Sequence, residues 1–237
     1  MQGSSDCKNQ PSPMIKLVAF DWNGTILSDT IACLKGDDAA LIALGYKPIS
    51  LKKFRDCFEI PLLNFYKNIG VDPNIPKDKY EKSEAEFHRV YEAYAAKSRT
   101  RAGVRDLLKF LKNHNIPCVI FSNHLPPSIN RHLQRLKIAN YFETVLANSH
   151  ESEILYKREK GERLQSYLKT KGVNPKEVLI VGDTAEEIEI ARQLGGISVA
   201  LTHGYYTTSR LKAAKPDYLF GDLRQIEGII IKLQSQS

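Results

Sequence analysis

The sequence predicts an α/β fold, a parallel sheet covered by helices on both faces, with an all-helical block inserted after the first strand. Short, mostly β-branched apolar runs recur along the chain and predict the sheet. Helical patterns lie between those runs, and such alternation implies right-handed crossovers and parallel pairing. From about residue 30 to residue 99 the alternation stops and helical periodicity takes over, which predicts the insertion.

Taken in order, the polar residues 1–13 lack the apolar centre of a secretory signal and read as a loose arm. Residues 15–20 follow as the first strand. Helices are expected near 35–44, 51–58, 61–68 and 77–97, with breaks at Gly45, Pro48, Pro61, Gly70, Pro73 and Pro76. The alternation then resumes: helix 104–113, strand 118–121, helix 128–137, strand 144–147, helix 161–171, strand 178–181, helix 186–193, strand 197–201, strand 218–220 and a last helix from 223 to about 233. The division is a core of residues 1–29 and 99–237 and a helical lid of residues 30–98.

Composition narrows the function classes. The 237 residues, 42% hydrophobic and 26% charged, make ordinary globular material. No apolar stretch approaches the roughly 18–20 residues a membrane span needs. Cys7, Cys33, Cys57 and Cys118 show no CxxC spacing, which favours reduced thiols in a cytoplasmic protein over disulfides or zinc. The net charge of +7 comes from Lys and Arg dispersed along helices, with no basic-aromatic cluster. Nucleic acid is therefore not expected, and a general attraction for anionic substrates is. The histidines show no ligand spacing.

Three predicted strand ends carry chemically useful residues. The first strand runs into Asp21-Trp22-Asn23-Gly24-Thr25, the second into Ser122-Asn123, and the fourth into Gly182-Asp183-Thr184, with Glu186, Glu187 and Glu189 following. Singly, these read as turns or helix starts. Together they say more, because two carboxylates at adjacent strand ends repel unless a cation lies between them, and oxygen-rich sites suit magnesium. A hydroxyl and backbone N–H groups at a neighbouring end can hold phosphate oxygens.

These residues carry a resemblance. The sequence is similar to haloacid dehalogenase-like phosphatases with a helical cap of the phosphoglycolate phosphatase type, at all four signature regions and in order, over nearly all the chain after Pro13. The resemblance implies a Rossmann-like core with Mg2+ as cofactor and a small phosphorylated metabolite as substrate, in a monomer or homodimer. It makes Asp21 the nucleophile of an aspartyl-phosphate route. Asp21, the Asn23 backbone carbonyl and Asp183 would be metal ligands, Ser122 and the Asn123 N–H would bind phosphoryl oxygens, and Thr184 and Glu187 would stand just outside. For the lysine, Lys160 is preferred to Lys157 because Lys160-Gly161 opens a helix with Leu164, Tyr167 and Leu168 on one face. His124 is the histidine expected nearest substrate, and Trp22 is expected to be structural.

The departure is Asn23. The family has Asp there, which protonates the leaving oxygen and then activates water. An amide can hydrogen-bond a leaving group but cannot exchange a proton at neutral pH, and positioned acid–base catalysis is worth ~10²–10⁴-fold. Three outcomes stay open: a phosphatase for good leaving groups or with a proton donor from the cap, slow turnover, or phosphate binding without catalysis. The phosphonoacetaldehyde hydrolase branch is also similar at Asp-Trp-x-Gly-Thr and uses a cap lysine as a Schiff base, for which Lys35, Lys52 and Lys53 are the candidates. The cap stretch 58–63, Phe-Glu-Ile-Pro-Leu-Leu, lacks the Gly and basic residue that the helical-cap branch often presents to substrate there. An apolar lip points to a substrate with no second strongly anionic group, and Leu62 and Leu63 read equally well as cap core.

Overall fold

A computed structural model describes residues 14–149 and 159–235. Six strands form one parallel sheet in the order β3-β2-β1-β4-β5-β6: β1 Leu17–Phe20, β2 Cys118–Phe121, β3 Val145–Leu146, β4 Val178–Gly182, β5 Ile197–Leu201 and β6 Tyr218–Phe220. The central strand β1 pairs Val18 with Cys118 on one side and Leu17 with Val178 on the other. The chain builds outward from β1 through β2 to β3, then jumps back to β4, so the order reverses between β1 and β4. A reversal of this kind opens a crevice at the carboxyl ends of the strands.

The inner strands are buried on both faces, which is why LVAF, CVIF and VLIVG read as continuous apolar runs. Side chains alternate. Val18 and Phe20 join the core under α5 (Val104–Asn113), α6 (Pro126–Arg135) and α10 (Gln225–Gln234). Leu17 and Ala19 join the opposite core under α7 (Lys160–Lys171) and α8 (Ala185–Leu194).

Four helices and no strand lie between β1 and α5: α1 Thr30–Ala43, α2 Leu51–Cys57, α3 Leu62–Ile69 and α4 Lys77–Ala95. Their own core holds Phe54, Phe65 and Tyr91, with Ile188, Tyr205 and Leu211 entering from the sheet side. The two chain crossings into this block pair with each other. Leu27 bridges Thr100 antiparallel, Ser28 N donates to Arg99 O at 2.9 Å, and Arg101 N donates to Ile26 O at 3.0 Å.

Two expectations need correction. The first helix begins at Thr30, not residue 35, because Ser28-Asp29-Thr30 is not a linker: Asp29 turns its carboxylate back to Gly24 N at 2.7 Å and the helix starts at once. A helix the sequence did not announce, α9 (Thr208–Ala214), sits between β5 and β6. It has seven residues and buries only Leu211, too little for a helical period to show.

Candidate active site

Asp21 ends β1 and Asp183 follows β4, on either side of the reversal. Asp21 N donates to Val181 O at 2.8 Å, so the first acidic strand end is tied to the strand that delivers the second. Gly24 has φ +72°, in the left-handed region glycine enters without strain, and a Cβ there would meet Asp183 Oδ2 at 2.3 Å. Position 24 must therefore be bare for the loop to lie over that carboxylate. Asp183 is fully buried and held at both oxygens, Oδ1 by Thr25 Oγ1 at 2.9 Å and Oδ2 by Tyr205 N at 2.6 Å.

Lys160, 1% exposed, enters from the first turn of α7 and donates to Asp21 Oδ1 at 2.5 Å and to Glu187 Oε1. Its ammonium also lies 4.5 Å from the centre of the Phe121 ring. The second oxygen of Glu187 accepts from Thr184 N at 3.1 Å and Thr184 Oγ1 at 2.7 Å, within the capping box that starts α8. Glu187 is thus engaged as the partner of Lys160, a sharper role than the outer acid expected. Asp21 Oδ2 has no hydrogen-bond partner among the described residues. Lys157 lies outside the described residues.

Ser122 is 1% exposed; its Oγ accepts from His124 N at 3.1 Å, leaving its O–H free to donate elsewhere. Asn123 Nδ2 donates to Glu186 Oε2 at 2.7 Å. Arg163, one turn beyond Lys160, donates to Ser122 O at 3.1 Å and Asn148 Oδ1 at 2.6 Å, steadying the loop from beneath. One cavity of about 140 Å³ is lined by Asp21, Asn23, Ser122, Asn123, Lys160, Thr184 and Glu187, with Asp183 packed just behind. His124 also lines it, and burial pushes its imidazole down to about 4, so the ring is neutral near pH 7. Trp22 is wholly buried in the core.

The electrostatics are those of an anion-rich pocket short of positive charge. Burial raises Asp21 well above the ordinary carboxylate value, Lys160 opposes the rise, and Glu187 and Asp183 add to it. Burial, then Glu187, raises Asp183 to about 7. For Lys160 burial opposes the charge, but Asp21 and Glu187 outweigh it and the ammonium is held above its usual value. Among the described residues Asp21 and Glu187 share one buried ammonium while Asp183 is buried close by, and a hard divalent cation near Asp21 and Asp183 fits that imbalance. Among the described residues no three His, Cys, Asp or Glu side chains converge as a metal cluster, so such an ion would draw further ligands from backbone carbonyl, phosphate and water.

Four contributors were not singled out from the sequence. Asp29, buried, accepts from Asn23 Nδ2 at 2.6 Å, Gly24 N at 2.7 Å, Tyr91 Oη at 2.9 Å and Tyr205 Oη at 3.2 Å. Tyr91 Oη in turn accepts from Asn23 Nδ2 at 2.9 Å. The fourth, Arg101, donates to Gly24 O at 2.8 Å and Thr202 O at 2.6 Å, clamping two site loops. Only Tyr91 had a signal, its helical spacing from Phe87. Lys35, Lys52 and Lys53 do not line the cavity; Lys35 pairs with Asp38 at 3.2 Å and Lys52 with Asp56 at 2.6 Å. Among the described residues the cavity lining therefore includes no lysine of the helical block, where the Schiff-base candidates lie.

Known proteins resemble this chain along most of its length. Phosphoglycolate phosphatase from Vibrio vulnificus is 25% identical over 92% of this chain and 96% of its own. Phosphoglycolate phosphatase from Synechococcus elongatus is 26% identical over 86% and 92%. Among solved structures, a haloacid dehalogenase-like family hydrolase from Streptococcus pneumoniae superposes with TM-score 0.75 at 21% identity, covering 91% of this chain and 98% of that one. The model of the haloacid dehalogenase-like hydrolases matches residues 18–201, from within β1 to the end of β5 and across both acidic strand ends. The chain belongs to the haloacid dehalogenase-like family of hydrolases.

Proposed function

We propose that the protein is a magnesium-dependent phosphatase of a small phosphorylated molecule, with Asp21 as nucleophile and residues 30–98 as a cap over the site. The observation that carries this reading is the Lys160 bridge, which holds Asp21 by Oδ1 and leaves Oδ2, beside the cavity, without a partner among the described residues.

Asp21 Oδ2 attacks phosphorus, the bond to the leaving oxygen breaks, and the leaving group departs as an oxyanion that takes its proton from solvent water. Water then attacks the aspartyl-phosphate, releasing phosphate and restoring Asp21. Ser122 Oγ–H, the Asn123 N–H and Lys160 take the phosphoryl oxygens, whose charge grows in the transition state. Asp21, the Asn23 carbonyl and Asp183 would hold a magnesium ion, which when bound supplies the positive charge that lets a carboxylate approach a phosphate dianion. The phosphoglycolate phosphatases above carry that activity in their names, and the shared family supports the reaction class.

Asn23 shapes what the site can do. Its amide nitrogen is committed to Asp29 and Tyr91, so the group it leaves for the cavity is its carbonyl oxygen, an acceptor. It therefore gives the leaving oxygen neither a proton nor a hydrogen bond. Aryl and acyl phosphates, whose leaving groups need little protonation, should turn over faster than alkyl phosphates. A phosphate-release screen with magnesium, run beside Asp21→Asn, tests the reading. Turnover lost in the variant supports it. No turnover on a broad panel, with magnesium still raising thermal stability, would favour the rival reading, a phosphate binder, for which Asn23 is the one argument.

A further inference from the structure

The cavity reaches beyond the phosphoryl end into the helical block, and its far lining has a distinct chemistry. Asp37 of α1 lines it, is 4% exposed, and has as its only side-chain partner among the described residues Cys33 Sγ at 3.7 Å. A buried carboxyl with no cation among the described residues is costly to ionise, and a bound cation would relieve that cost. Glu84 of α4 lines the same end, accepting from Tyr80 Oη at 3.3 Å. Tyr66 of α3 is raised first by burial and next by the neighbouring Asp37, with Tyr80 and Glu84 adding, which places these groups in one neighbourhood. The Tyr66 hydroxyl has no hydrogen-bond partner among the described residues. Phe87 and Tyr91 add two stacked rings, 5.6 Å apart at 6°.

Among the described residues no arginine lines this cavity, and its one lysine, Lys160, is already held between Asp21 and Glu187. Among those residues the far end therefore has no lysine or arginine to meet a substrate carboxylate. Two acids among aromatic faces are instead the setting that binds an ammonium: a bound cation draws Asp37 into its charged form, the carboxyl proton leaving to solvent, and the ring quadrupoles add to the attraction.

We propose that Asp37, Glu84 and the surrounding rings form a subsite for a positively charged nitrogen, so that the substrate is a small phosphate monoester with a cationic, apolar-bodied leaving group. This rests on the phosphatase reading and departs from phosphoglycolate, the substrate in the relatives' names, which carries a carboxylate where these acids stand. The aryl pair 4-(aminomethyl)phenyl phosphate and 4-carboxyphenyl phosphate tests it, with phenyl phosphate as the uncharged reference. All three leave as phenolates, so Asn23 weighs on them alike.

The expected result is a kcat/KM ratio of about tenfold or more in favour of the ammonium ester. Asp37→Asn should shrink that ratio several-fold and Asp37→Lys should invert it. A ratio near one, or one favouring the carboxylate ester in the unaltered protein, overturns the subsite. If phenyl phosphate is not hydrolysed either, the phosphatase reading fails by itself. Calorimetry with 4-(aminomethyl)phenol and 4-hydroxybenzoate then decides the subsite: tighter binding of the amine, weakened by Asp37→Asn, supports it, and equal or reversed affinities reject it. A cooperative thermal transition in each variant shows that the fold is kept.

Discussion

Asn23 Nδ2 donates to Asp29 Oδ2 at 2.6 Å, and the same nitrogen reaches Tyr91 Oη at 2.9 Å. The amide at position 23 is thus built into a network centred on a buried carboxylate, with Tyr205 Oη and Gly24 N as the further donors. Burial raises Asp29, and its bonds from Asn23, Tyr91, Gly24 and Tyr205 lower it. Asn23→Asp would set a second carboxylate against the first, where the two must share a proton or move apart. We expect a loss on the order of 1–3 kcal/mol of stability near pH 7, read as a lower Tm. Hydrolysis of an alkyl phosphate should rise by up to ~10²-fold, since an acid again stands beside the leaving oxygen. Adding Asp29→Asn should recover most of the stability, because the pair then has one acid and one amide in reversed places. Stability unchanged by the single substitution would show that the contact is not formed in solution.

Lys160 is the next test, because among the described residues it is the only ammonium between Asp21 and Glu187. Lys160→Met keeps much of the volume and deletes the charge, leaving the two acids facing each other. Breaking a buried ion pair from one side costs about 3–5 kcal/mol, so a large drop in Tm is expected along with near-complete loss of phosphate release. Lys160→Arg should not rescue it, since a planar fork cannot replace one compact ammonium serving two carboxylates. A fully active Lys160→Met would remove the lysine from the mechanism and direct attention to Lys157.

How much could be read beforehand follows from where each signal resides. The strand runs ending at Phe20, Phe121 and Gly182 are apolar on both faces, and a short β-branched run bounded by polar residues is visible without a partner. The residues at their ends could be placed for the same reason: a strand end fixes where Asp21, Ser122 and Asp183 emerge. Asp29, Tyr205 and Asp37 were not legible. Asp29 meets Tyr205 only because a loop 176 residues away folds over it, and no local pattern encodes that approach. Asp37 lies within a helix that buries Leu34, Asp37, Asp38 and Leu41 alike, so periodicity did not mark it as unusual. Its meaning comes from what α3 and α4 place opposite.

Asp37 also predicts a pH dependence. Burial is the main cause that lifts its carboxyl to about 8; the Cys33 bond opposes it and Asp38 adds to it. Facing it are Cys33 and Asp38 from its own helix, Tyr66 from α3, and Tyr80 and Glu84 from α4. Cys33 and Tyr66 are themselves raised, first by burial, and stay neutral over the range concerned. The folded chain keeps a proton on Asp37 from about pH 4 to about pH 8, whereas the unfolded chain has lost it. Stability from this group is therefore fully present below about pH 4 and drains away as pH rises toward 8. Asp37→Asn has no such proton to lose, so it should match the parent near pH 4 and exceed it by a few kcal/mol, on the order of 2 or more, near pH 8. Denaturant unfolding at several pH values gives the comparison, and a constant difference across the range would refute it.

The helical block is tied to the sheet side by Arg210, whose Nη1 donates to Arg55 O at 2.9 Å and Phe58 O at 2.8 Å while Nη2 meets Glu59 Oε2 at 3.0 Å. Arg55 in turn donates to Gly204 O at 2.9 Å and His203 O at 3.0 Å, beside the Tyr205 N–H that holds Asp183. If the block is a cap that closes over substrate, these bonds favour the closed form and the paired crossings at Leu27 and Thr100 are the pivot. Arg210→Ala removes three bonds at one end without touching the phosphoryl site. We expect KM to rise several-fold with a smaller change in kcat, because the closed state must then be regained from binding energy. Limited proteolysis should cut faster near residues 28–30 and 98–101 in the variant, and magnesium with orthovanadate should restore protection by filling the site. Cleavage that ignores both the substitution and the analogue would mean that the block does not open on the pivot.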